Sequence, residues 1–400
     1  MSSRNNQPQV RKRRVFYIPG YDPIPARRYR ELYRTESQAQ AQISGYQISI
    51  SPKSGDGPFG WHVSSMQDGA TVQTEIEVLV WSDIVRDSMS GSILATYMQL
   101  GRTAWTYMST GTLKRLRHLR KGPVIAALYP VGMLLLQLLA ALIVVVVVTA
   151  LMGWWGVLPA LALAYVLLRW FRRIDNRLFA YYLMHDYAYS AQLTGETPVE
   201  LQDRLNDFAR LIDATLDTDV DEVLVVGHSS GAHLSVSVLA DVIRARGGIP
   251  SRPVLSLLTL GHVVPMVSFL PKATKLRGDL RFLSTQKALT WVDVSAPGDG
   301  CSFALCDPVA VSGVAGQDKV WPLVLSAAFT KTLSPERWQE LRWKFFRLHF
   351  QYLCAFDQPG AYDYFRITAG PQTLGTRFAD REPSKTRIET ATSKYTDVSA

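Results

Sequence analysis

Short apolar runs, each stopped by turn residues, recur along this chain and set its architecture. Val15-Phe16-Tyr17-Ile18 is the first, closed by Pro19-Gly20, and reads as a buried strand. A helical pattern follows from about Pro25 to Gln42. Strands are then predicted at Tyr46–Ser51 and at Glu75–Trp81, where Ile76, Val78 and Val80 alternate with other residues, with a loop rich in Gly, Pro and Ser between them. Val223–Val226, Val254–Leu260 and Leu289–Val294 are continuous apolar runs of strand type. Helical patterns occupy 174–216, with a break at Thr194–Pro198, then about Ser230–Arg246 and 275–288. Strands alternating with helices predict an α/β fold, a mostly parallel sheet covered by helices on both faces.

One block departs from this alternation. Residues 123–171 are almost purely apolar, and Val131–Met152 carries no charge. At helical rise that stretch spans roughly 33 Å, enough to cross a bilayer. Gly153-Trp154-Trp155-Gly156 reads as a turn with interfacial aromatics, and the shorter second half contains Pro159. A buried hairpin in a soluble protein is the competing reading, and so long a charge-free run argues against it. Lys114, Arg115, Arg117, Arg120 and Lys121 precede the block, and Arg169, Arg172, Arg173 and Arg177 follow it. Positive charge at both ends puts both flanks on the cytoplasmic side. The expectation is an integral membrane protein, of a kind that fits a bacterial inner membrane, whose hairpin anchors a cytoplasmic domain in the lipid bilayer.

The domain boundaries follow. Residues 1–13 are expected to be a disordered basic N-terminus, 14–122 the first part of the α/β domain and 123–171 the hairpin. Residues 172–375 are the second part, and 376–400 a polar, disordered tail. The net charge of +9 is concentrated at Arg11–Arg14 and at the flanks of the hairpin, so it reads as a membrane signature. No aromatic-basic module points to nucleic acid. The three cysteines, Cys301, Cys306 and Cys354, fit neither a zinc site nor a redox motif and are read as idle thiols in a reducing compartment. Met1–Arg14 is polar and basic, so no signal peptide is expected.

The chemistry centres on Gly227-His228-Ser229-Ser230-Gly231. The pattern G-x-S-x-G is weak by itself. Here it follows an apolar strand and opens an amphipathic helix, the context a nucleophile elbow requires. A sharp strand-to-helix turn strains the backbone at its centre and demands small neighbours, and it places the serine beside the free N–H groups of a helix start. The stretch resembles the nucleophile elbow of the α/β-hydrolase superfamily, whose lipases, esterases and thioesterases often carry Gly-His-Ser-x-Gly. The likeness is at the level of the motif over 223–235 and of pattern over the rest, the hairpin and tails apart. It implies Ser229 as nucleophile and the N–H of Ser230 as one oxyanion donor. It also implies a second donor from the turn after the first strand, the N–H of Tyr21, although Pro19 stands where histidine is commoner.

Serine needs a base and the base an orienting acid, in the chain order Ser, acid, His. His262, directly after a strand, and His349, near the C-terminus, both lie downstream. His349 is favoured because the superfamily keeps its base there and because Tyr352 follows three residues on. His228 and His233, on or beside the elbow, are read as packing or pocket-lining residues. Asp299, in the loop past the Leu289–Val294 strand, leads as the acid, with Asp307 second and Asp293, inside the strand, less able to reach.

No metal cluster or nucleotide motif is visible, and the implied chemistry needs no cofactor. The resemblance implies a membrane-anchored serine hydrolase that cleaves a carboxylic ester, a lipid-like acyl ester being favoured by the anchor. Thioester hydrolysis and acyl transfer use the same machinery. The alternative is a catalytically idle fold serving as membrane scaffold or binding protein.

Overall fold

The computed structural model describes residues 9–89 and 91–399. Among them eight strands form one sheet: β1 Lys12–Ile18, β2 Gln47–Pro52, β3 Gly60–Gln67, β4 Ala70–Val78, β5 Glu222–His228, β6 Val254–Leu260, β7 Leu289–Ser295 and β8 Leu323–Ser326. Their spatial order is β2-β3-β4-β1-β5-β6-β7-β8. From β4 to β8 every pairing is parallel, while β3 runs antiparallel to both its neighbours. The mostly parallel α/β architecture expected from the sequence is therefore present.

The central strands read as unbroken apolar runs because both faces are covered. Val15, Tyr17, Leu224 and Val226 point into one core, shared with the helix Arg27–Ser44 and the C-terminal segments. Phe16, Ile18, Val223 and Val225 point into the other, beneath the helices Val199–Thr215, Gly231–Arg246 and Thr274–Ser284. The side-chain period of two thus sorts one sequence run into two cores.

Two strands lay outside the sequence reading. β3 falls in the loop expected before Glu75, and the four-residue β8 was not foreseen. The N-terminal expectation also needs correction. Residues 1–8 lie outside the described residues, but Val10 is buried with its N–H donating to Pro371 O, and β1 begins at Lys12. Arg13, placed by that expectation in the disordered terminus, is buried against Glu222 at 2.7 Å and donates to Gly370 O and Gln372 O. The segment from 376, expected to be disordered, lies along the domain with little regular secondary structure. Ile388 bridges Cys306, and Asp397 binds Arg277 through both its carbonyl and its carboxylate.

The apolar block forms two helices, Lys121–Met152 and Val157–Arg173, joined by a single 3₁₀ turn at Gly153–Gly156 and packed along each other. An 18-residue window in this stretch has a mean hydropathy of 3.0, yet only 17% of it is buried. Its base does meet the domain, for Leu134 packs with Tyr181 and Met184, and Tyr97 donates to Leu134 O. Beyond that its surface is bare Leu, Ile and Val, with Trp154 and Trp155 fully open at the tip.

Candidate active site

Ser229 stands at the sharp turn between β5 and the helix Gly231–Arg246. Its φ of 57° is left-handed, a conformation that costs a non-glycine residue about 1–3 kcal/mol. The ladder persists up to the turn, since the Ser229 N–H donates to Leu260 O at 2.9 Å. The flanking glycines are required by space. A Cβ on Gly231 would overlap the carbonyl oxygen of Ile18, and one on Gly20 would stand 2.9 Å from Ser229 Cβ and 3.3 Å from its Oγ. The Pro19-Gly20-Tyr21 turn after β1 thus passes close beside the serine. Among the described residues, the N–H groups of Ser230 and Tyr21 have no acceptor, so both are available to an oxyanion.

His349 and Asp299 meet at this place. His349 Nδ1 lies 2.8 Å from Asp299 Oδ2, leaving Nε2 as the ring nitrogen not engaged by the aspartate. Asp299 is buried and also accepts from Tyr352 Oη (3.0 Å) and from the Cys301 N–H (2.9 Å). Burial alone would raise its pKa, but the neighbouring His349 and the bonds from His349, the Cys301 N–H and Ser302 hold the carboxyl below its usual range. Room for the pair comes from Gly261, at φ 51°, where a Cβ would lie 3.2 Å from His349 Cε1 and 3.3 Å from Asp299 Oδ2.

A pocket lined by Gly20, Tyr21, Ser229, Ser230, Asp186 and His349, among others, joins these groups. The Ser229 hydroxyl makes no hydrogen bond among the described residues.

The remaining candidates separate cleanly. His262 is fully buried, directs Nε2 to Cys306 O at 2.8 Å and does not line the pocket. Asp307 caps the helix Pro308–Val311 and pairs with Lys319 at 2.6 Å, and Asp293 accepts from Thr259 at 2.6 Å inside the sheet. His233 lines a second cavity, which shares Tyr21, Asp186, Ser190 and Ser230 with the first. His228 contributes more than packing. Its Nε2 lies 3.0 Å from the backbone carbonyl of His349, and burial pushes its pKa down to about 3, so the neutral ring donates there.

Asp186 was missed by the sequence reading. It sits on the helix Ala180–Ala191, whose start is fixed by Asp175 accepting from the N–H groups of Tyr181 and Tyr182. Among tyrosines and Leu, Met and Ala, it was the one acid in that helix, and this was the available signal. Burial pushes its carboxyl up to about 7 against the opposing pull of His349.

Three potential ligand atoms, on Asp299, Cys301 and His349, lie within 4.8 Å of one another. The Asp299 oxygens are already engaged, and burial raises the Cys301 thiol well above its ordinary value, so the cluster suits a carboxylate–histidine pair better than a metal.

Neither family models nor curated proteins nor solved structures match the chain.

Proposed function

We propose that this chain is a membrane-anchored serine hydrolase of the α/β-hydrolase type, acting on carboxylic esters with Ser229, His349 and Asp299. The observation that carries the proposal is the buried 2.8 Å His349–Asp299 bond opening on the same pocket as a serine held at φ 57°. A strained serine and an oriented imidazole meeting at one cavity have a joint purpose in acyl transfer and none in packing.

In this reading Ser229 Oγ attacks the ester carbonyl carbon while His349 Nε2 takes the hydroxyl proton. The carbonyl π electrons move to oxygen, which the N–H groups of Ser230 and Tyr21 stabilise. The C–O bond to the alcohol then breaks, and His349 returns the proton to the departing alkoxide. Water, deprotonated by the same nitrogen, releases the acid and restores Ser229. Asp299 holds the tautomer and offsets the imidazolium throughout.

Two features support an acyl substrate drawn from a lipid surface. The second cavity, which shares Ser230 with the first, has an apolar side made by Trp81, Leu201, Leu205, Leu234, Val267 and Leu276 beside the polar Asp186, Glu196 and His233, and that side suits an acyl chain. Pro123, in the first turn of the exposed apolar helix, lines the first cavity together with Phe346. Phe346 packs on Phe179 with ring centroids 4.4 Å apart, while neighbouring Trp343 and Phe345 are exposed beside Arg342 and Lys344. Apolar helices with basic flanks on both sides suit an inner-leaflet anchor with the catalytic domain on the cytoplasmic side.

The test is turnover of p-nitrophenyl esters of graded chain length by the detergent-solubilised full chain, beside Ser229→Ala. Turnover that disappears in Ser229→Ala supports the reading. A well-folded wild type with no more activity than Ser229→Ala contradicts it and favours a scaffold.

A further inference from the structure

The catalytic scheme leaves Asp186, on the pocket wall, without a task. Asp186 is half-buried on the wall that also carries Ser229 and His349, and it forms no hydrogen bond or ion pair among the described residues. A carboxyl on a pocket wall without a protein donor keeps its lone pairs for a ligand that enters.

Donors stand close by and are turned elsewhere. Tyr21, Tyr107, Tyr182 and Tyr187 all feel the Asp186 charge. Yet the Tyr182 hydroxyl donates to Tyr21 O, the Tyr107 hydroxyl to Met266 O at 3.0 Å, and the Tyr21 hydroxyl pairs with Ser88. Tyr21, Tyr182, Tyr187 and Phe346 nevertheless bring their rings to the pocket wall, where Tyr21 and Tyr182 lie 6.2 Å apart and Tyr182 and Phe346 5.8 Å apart. Asp186 therefore shares the pocket wall with these aromatic side chains, its carboxyl without a protein donor among the described residues. That combination attracts a cation twice, through the carboxylate and through the ring faces, and it attracts neutral groups far less.

We propose that Asp186 and the tyrosines around it form a subsite for an ammonium group, primary or quaternary, carried by the substrate beside its scissile ester. The assignment to an ester rests on the hydrolase reading, whereas the cation site itself does not. Asp186 borders both cavities and stands on the wall shared with Ser229 and His349, so the ammonium would lie beside the scissile ester. An amino alcohol ester is the substrate class that brings such an ammonium beside an ester carbonyl. The absence of a protein cation is also why burial prevails at Asp186, with only His349 opposing it among the described residues.

The experiment has two arms, both on the full chain in detergent. In the first, binding of tetramethylammonium is measured by calorimetry on Ser229→Ala, and on the same variant with Asp186→Asn or Asp186→Glu added. Binding that is lost with Asn, regained in part with Glu, and accompanied by cooperative thermal unfolding in all three supports the subsite. No binding to Ser229→Ala, or equal binding with Asn, overturns it. In the second, the kcat/KM for a butyrate ester of choline is divided by that for its neutral isostere, 3,3-dimethylbutyl butyrate. A cation–π and carboxylate site predicts a ratio of about ten or more in the wild type, collapsing toward one in Asp186→Asn. A ratio near one in the wild type overturns the ester assignment. Loss of turnover on both esters with tetramethylammonium binding intact overturns the hydrolase reading and leaves the cation site standing.

Discussion

His228 reaches across the elbow to His349: its Nε2 lies 3.0 Å from the His349 carbonyl, and the two rings sit 4.8 Å apart at 34°. The histidine of the Gly-His-Ser-Ser-Gly motif therefore steadies the backbone of the proposed base. Replacing it with phenylalanine keeps an aromatic ring and removes the donor. Misplacing a catalytic group by a fraction of an ångström is costly, so His228→Phe should lower kcat by roughly 10- to 100-fold. KM for short esters should change little. Steady-state kinetics beside a thermal melt separate this from simple unfolding.

Strain at Ser229 makes a prediction that needs no substrate. Ser229→Gly relieves the left-handed φ of 57°, whereas Ser229→Ala retains it. The glycine variant should be more stable than the alanine variant by about 1 kcal/mol, in spite of the usual entropic penalty of glycine. Chemical denaturation of the two inactive proteins measures the difference. Equal or reversed stabilities would contradict a strained elbow.

Asp186 should imprint itself on stability as a function of pH. Its carboxyl sits at about 7 in the folded chain and at about 3.9 when unfolded. Below the unfolded value both states are protonated and the group is neutral in its effect. As pH rises toward 7 the unfolded chain loses its proton first, so folding is progressively penalised, and above 7 the penalty is constant. Asp186→Asn lacks this penalty. Its melting temperature should match the wild type near about pH 4, exceed it increasingly up to about pH 7, and run parallel beyond. A constant offset at every pH would remove the buried-carboxyl account.

Anchoring is separable from chemistry. The hairpin packs on the domain through Val124 and Leu134 near its base, while the outer parts of both helices meet mainly each other. Replacing residues 138–168 with a short Gly-Ser linker should release the protein from carbonate-washed membranes and preserve its reactivity toward small esters. Continued sedimentation with membranes would place the anchor elsewhere.

The parts of this fold that were legible in the sequence are those where one physical signal dominates. β5 reads as a strand because Val223–Val226 feeds two cores, and the elbow reads from its position between that strand and a helix. β3 was illegible because its inward face carries Ser65 and Gln67 while Met66 points out, reversing the expected pattern. Ser65 is satisfied by Ala369 O, a partner 304 residues away. Position near the C-terminus and the following Tyr352 favoured His349 over His262, while the long-range contact with Asp299 that separates them was not legible. Asp186 was hidden for a similar reason, because the tyrosines that define its surroundings come from Tyr21, from Tyr107 and from its own helix. The C-terminal segment looked solvated because its ties, such as Asp397 to Arg277, are polar and distant in sequence.

The most direct test of the central claim is covalent labelling of the solubilised full chain with a fluorophosphonate, followed by peptide mass spectrometry to locate the adduct. The account predicts one adduct, on Ser229, absent in Ser229→Ala and formed far more slowly in His349→Ala than in His262→Ala. No adduct on folded protein, or an adduct elsewhere with Ser229 unmodified, would contradict it.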